Sequence, residues 1–264
     1  MKSLKIKIPL NTFFWLLYRE IRVLWNSFFS QWIDFAILTA SGVLIAGYVL
    51  PHLGVPADYG IFMMVGQIVC WCLWGPAGDS GQLVTDLDGV KAISSDLVLP
   101  TRYWLVYCKI ALAYAIKAAA LNLLSIPLGI LLVINSFDFS VVSVPKFLLI
   151  YPIVNIFYAF FILFIAVHSK NITSYNRFWM RWGAQLFLFS GFQFSWMVLN
   201  KASKFWSYFN LLNPLVYTYE GMRIPFMGQA GFLNFWACVF ALIFSTIVFA
   251  FFGLRRFKKR LDCV

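Results

Sequence analysis

Apolar positions in this chain come in long runs nearly free of charge, and polar residues gather in the short stretches between them. A helix needs about 20 apolar residues to cross a bilayer. Six runs are read as spans: within 35–57, 59–78, 110–133, 147–167, 183–199 and 232–253. The first is expected to end near Leu50, where Pro51 and Gly54 mark a tight turn, and the second to break at Gly75–Pro76. The pattern predicts an all-α integral membrane protein with six transmembrane helices in a single domain, 1–264.

Two further stretches depart from the spanning pattern. Over 11–29, Phe14, Leu17, Ile21, Leu24, Trp25 and Phe28 recur at helical spacing, while Arg19, Arg22 and Asn26 fall on another face. That is the pattern of an interfacial amphipathic helix lying in the headgroup plane. The alternative is the inner end of the first span, against which the three charges Arg19, Glu20 and Arg22 weigh. The stretch 205–228 is aromatic and apolar but contains Asn210, Asn213, Pro214, Glu220 and Arg223, and only fifteen residues, 205–219, are free of charge. It is too short to span, so the expectation is re-entrant helices within 201–231, between spans five and six. A surface loop with aromatics at the lipid interface is the other reading.

Composition agrees with a membrane solvent: 62% hydrophobic, 12% charged and a mean hydropathy of +0.80 over 264 residues. The net charge of +11 would raise the question of nucleic acid in a soluble protein. Here the basic residues flank apolar runs, and no nucleic-acid partner is expected. With both termini inside, the outer segments hold only Lys146, Lys201, Lys204 and Arg223, Lys117 sits within a span, and every other Lys and Arg is inner. This positive-inside bias predicts a multi-pass protein with both termini cytosolic. Four of the five cysteines (Cys70, Cys72, Cys108, Cys238) lie in or beside apolar runs and read as small buried hydrophobes.

Candidate chemistry is sparse. Gly78-Asp79-Ser80-Gly81 looks like a serine nucleophile signature, but of the two histidines His52 falls on the other side and nothing places His168 near Ser80. No catalytic residue and no metal site is expected. The sequence holds no G-x-x-x-x-G-K-[ST], so ATP binding by a P-loop of this chain is excluded. Glu220 and Arg223 are three apart and would share a helical face, an arrangement suited to a mutually neutralising ion pair. Asp34 opens the first span, with Arg19 or Arg22 as candidate partners, and Lys117 is read as snorkelling to the surface. The polar stretch 83–102 is either a plain connection or a short docking helix for a soluble partner, the latter favoured by its length.

These residues resemble a known family, the membrane subunits of ABC exporters of the second type, and within it the polysaccharide-export permeases (O-antigen, capsule and teichoic acid type). The resemblance rests on Tyr18-Arg19-Glu20-Ile21-Arg22, on Leu99-Pro100, on Trp206-Ser207-Tyr208, on Asn213-Pro214-Leu215-Val216, and on Glu220, Arg223 and Gly228. It implies a permease that forms a homodimer and joins two copies of a cytosolic ABC ATPase, which binds ATP and Mg while this chain binds no cofactor. It implies export of a lipid-linked polysaccharide or glycolipid across a bacterial cytoplasmic (inner) membrane, with membrane lipid around it. Arg19, Glu20, Arg22, Asp86, Asp88, Lys91, Asp96, Pro100 and Arg102 would then meet the ATPase through the interfacial helix and the coupling loop 83–102. A sugar path is expected to use flat rings, with Trp71, Trp74, Phe189, Phe192, Phe194, Trp196, Tyr208, Tyr217 and Tyr219 as candidates; aromatics also serve lipid-facing and interfacial positions. The chain departs from the family pattern in its aromatic fifth span and its acidic, serine-bearing inner loop. Competing readings are an ABC exporter of a drug or simple lipid, a membrane-embedded transferase, and an ion-coupled carrier. The last lacks paired half-repeats and several mid-membrane charges.

Overall fold

The structure, a computed structural model, describes residues 2–26, 28–56, 58–89 and 102–261, with side chains from Thr12 onward except Leu24 and Leu261. Among the described residues every regular element is helical. The chain begins with α1 (Lys2–Trp25) and turns at Asn26 into α2 (Phe28–Leu44). A π turn (Ile45–Val49) and a 3-10 turn (Leu50–Leu53) extend α2, and Pro51 with Gly54, at φ 88°, ends it as expected. Next come α3 (Tyr59–Asp88), α4 (Tyr103–Leu132) and α5 (Val144–His168), the last opening with a proline in its first turn, where no N–H is needed.

The path then breaks into shorter pieces. Helix α6 (Ile172–Phe178), N-capped by the Asn171 side chain on the Ser174 N–H, runs through a π turn (Trp179–Gly183) into α7 (Ala184–Leu188). After a bend come α8 (Trp196–Ala202), α9 (Lys204–Asn210) and α10 (Leu215–Met227), and α11 (Phe235–Leu261) closes the chain.

Five helices are long and apolar enough to cross a membrane: 28–53, α3, α4, α5 and α11. Helices α3 and α5 are the most enclosed of these, while α2 and α11 keep most of their length on the outside. Outward apolar faces suit lipid as the solvent, where helices associate through close packing more than by escaping water. Small residues bring backbones together. A Cβ on Gly60 would stand 2.9 Å from the Gly47 Cα, so glycine permits the π turn after α2 to cross close to α3.

Four expectations need correction. The second span does not break at Gly75–Pro76, because α3 continues through buried Pro76 to Asp88. Enclosure makes this tolerable, since neighbouring helices hold the chain in place where proline removes one backbone N–H. The proposed fifth span over 183–199 is not one helix: it is interrupted between Leu188 and Trp196, and the helical path 172–188 lies mostly before it. The N-terminal helix is displaced from 11–29 to 2–25. Finally, 83–88 belongs to α3 and not to a loop, while Lys91, Asp96 and Pro100 lie outside the described residues.

Candidate functional site

Helix α10 is the most unusual element. Its 13 residues rise about 20 Å, short of the ~30 Å hydrocarbon core. Yet Thr218 to Phe226 are buried without exception, against α3, α5 and α11. The Asn213 side chain starts it by accepting the Leu215 N–H at 3.1 Å, and its amide donates to the Leu186 carbonyl at 2.8 Å. Gly221 lets α10 seat against Ile150 of α5 and Cys238 of α11, which leave no room for a Cβ.

The two charges of α10 do different work from that expected. Glu220 and Arg223 do not form a direct ion pair; each binds backbone. One Glu220 oxygen accepts the Trp196 N–H at 2.8 Å, capping α8, and the other accepts the Leu233 N–H at 3.0 Å, just before α11. Burial pushes the Glu220 carboxyl above its ordinary range, against the lowering influence of those two N–H groups and of Arg223. Arg223 donates to the carbonyls of Gly191 (2.6 Å) and Phe192 (2.8 Å), and its guanidinium carbon lies 3.3 Å from the Phe62 ring centroid on α3. Gly191 adopts φ 88°, which a side chain rarely accepts, so glycine shapes the turn that offers these carbonyls. The segment between α7 and α11 is thus drawn onto α10 at three points.

A second polar group lies nearer the other end of the bundle. Lys117 on α4 is buried and donates to both carboxylate oxygens of Asp79 on α3, at 2.7 and 2.8 Å. Lys109, also on α4 and buried, donates to Glu20 of α1 at 2.9 Å. Beside Asp79, Ser80 is buried with its hydroxyl against that of Tyr175. Lys117 therefore does not snorkel. It closes an inter-helix pair that was misread because placing a break at Pro76 moved Asp79 out of the span. The signal was there once α3 runs on to Asp88: Asp79 and Lys117 are then opposite charges within two consecutive long helices.

The remaining candidates divide. On α1, Phe13, Leu16 and Glu20 face the bundle, whereas Phe14, Trp15, Tyr18 and Arg22 are exposed, so the packing face is rotated from the one expected. Arg19 lies beside Glu20 at 3.3 Å, and Asp34 is exposed on α2. Asp86 and Asp88 end α3, and Arg102 precedes α4, exposed. The nine aromatic candidates fall into separate groups rather than around one passage. Trp71 stacks on Phe35 of α2 and donates to Thr39. Trp74 packs on Trp179 and Phe187, and Phe187 leads through Phe192 to Tyr219. Trp196 meets Tyr208 edge-on and donates to the Ser207 carbonyl, and Tyr217 donates to the Leu211 carbonyl. Phe189 is exposed and Phe194 is half-buried.

Compared with known proteins, the chain matches no family model and no curated protein.

Proposed function

We propose that this chain is the transmembrane subunit of an ATP-driven exporter, an ABC permease of the second type that moves a lipid-linked polysaccharide or related glycolipid outward across a bacterial cytoplasmic membrane. In this reading it works as a homodimer with two copies of a separate ATPase, which supplies ATP and Mg chemistry. The observation that carries the proposal is α10, a helix too short to span yet enclosed by three long apolar helices and anchored through Glu220 and Arg223. Broken or short helices at membrane depth are tolerated where they are buried in protein or line a path for substrate.

The ion pairs supply a route for mechanical work. A push on α1 is passed to α4 through Glu20–Lys109, and from α4 to α3 through Lys117–Asp79. Helix α3 carries Phe62, which lies beneath the Arg223 guanidinium. The line from the N-terminal helix to α10 is therefore continuous in space, and coupling along it is the part to be measured.

The test is reconstitution in vesicles with and without the cognate ATPase. ATP-dependent outward movement of a lipid-linked glycan should require both components, and Glu20→Gln should leave ATP hydrolysis running while transport falls. Uphill transport by the chain alone would refute the proposal.

A further inference from the structure

The inner-pattern ends of α5 and α11 enclose an open cavity of about 640 Å3, lined by His168, Phe252, Arg255, Arg256, Lys258 and Lys259. Spacing of three and four places Phe252, Arg255, Arg256 and Lys259 on one face of α11. That face grades from an aromatic floor to a cationic rim along the helix axis. Among the described residues that line it there is no carboxylate.

Several contacts fix the walls of this cavity. Arg260 donates to the carbonyls of Ser169 (2.7 Å) and Lys170 (3.0 Å), tying the end of α11 to the turn after α5, and Asp88 acts on Arg260. Phe257, fully buried, packs on Tyr107 and sets the rotation of the helix. Arg255 lies over the Phe251 ring at 4.1 Å. Arg256 has a buried Nε with no hydrogen-bond partner. A buried N–H without an acceptor is unfavourable, and a guanidinium is shaped for a two-pronged oxyanion. Up the helix from the cavity, Phe240, Phe244, Ile247 and Phe251 form an exposed apolar stripe at helical spacing.

We propose that this face of α11, with His168 of α5, is a binding site for the phosphate headgroup of an anionic membrane lipid, one acyl chain lying along the aromatic stripe. A soluble anion would use only the cationic rim; a lipid uses the rim, the Phe252 floor and the stripe together. The inference rests on the membrane reading of α5 and α11 and not on ATP-driven export, so loss of the exporter proposal would leave it standing.

The experiment uses the full chain in phosphatidylcholine nanodiscs, with phosphatidylglycerol, extra phosphatidylcholine and inorganic phosphate as separate probes. Native mass spectrometry reads retained lipid and thermal melting reads stabilisation. Phosphatidylglycerol should be retained at least about tenfold over phosphatidylcholine. R255Q/R256Q/K259Q should weaken that binding about a hundredfold, from ~1 kcal/mol for each basic residue at an anionic surface. K201Q/K204Q, basic residues far from the cavity in sequence and element, should leave it unchanged. If the triple variant fails to accumulate, R256Q alone should show a loss of about fivefold. Equal retention of the two phospholipids, a preference that survives R255Q/R256Q/K259Q or R256Q, or stabilisation by inorganic phosphate alone would overturn the proposal.

Discussion

Removal of the Lys117 charge is the sharpest perturbation the fold offers. The Lys117 side chain is 5% exposed and Asp79 is 22% exposed, with their atoms 2.7 Å apart. Breaking a buried pair by deleting one partner costs about 3–5 kcal/mol, chiefly from the charge left behind. The two deletions should not be equal. Lys117→Met strands Asp79, the less enclosed of the two charges, and about 2–3 kcal/mol is expected. Asp79→Asn strands the more deeply buried ammonium, and about 3–4 kcal/mol is expected. The double variant places two uncharged side chains in the same space and should lose no more than about 2 kcal/mol, giving a coupling of at least about 3 kcal/mol. Unfolding in mixed micelles with a graded denaturing detergent measures all four proteins; partners found by the unfolded chain in the micelle trim every value alike. If the two single losses sum to the double within about 0.5 kcal/mol, the pair is energetically idle and the reasoning fails.

Three other outcomes follow from the same geometry. Glu20→Gln should release α1 from α4, seen as faster hydrogen exchange confined to 12–25, because Lys109 keeps a weaker, uncharged acceptor. Arg223→Met should free the Gly191 and Phe192 carbonyls, raising labelling of a cysteine placed at buried Ser190 while the native Cys238, buried beside Gly221, stays protected; equal exposure at both would contradict separate anchoring by Glu220 and Arg223. Gly221→Ala gains helix propensity of about 1 kcal/mol but meets Ile150 on one side and Cys238 on the other, so a net loss of about 1–2 kcal/mol is expected in thermal melts.

The long helices were readable because hydropathy reports directly on burial in lipid, and the turn at Pro51–Gly54 was readable because those residues restrict the backbone locally. The interior of α3 was not. Pro76 looks like a terminator in a single strand of text, and only the surrounding helices make an uninterrupted path affordable there. The same misplacement hid Asp79 from Lys117. Glu220 and Arg223 stood out as charges in an apolar stretch, and their importance to α10 was legible. Their partners were not, since backbone groups at 191, 192, 196 and 233 carry no mark in the side-chain sequence. The rotation of α1 was lost for a related reason: Glu20 turns inward because Lys109 waits there, overriding the apolar periodicity around it.

The bonds made by Glu220 and Arg223 also bear on how the polypeptide is made. All four acceptors and donors they engage lie within 32 residues of them, whereas Glu20 must await a lysine 89 positions downstream. Closing the knot around α10 therefore costs less loop entropy than closing the 89-residue loop from Glu20 to Lys109, and the knot is expected to form earlier as the polypeptide folds.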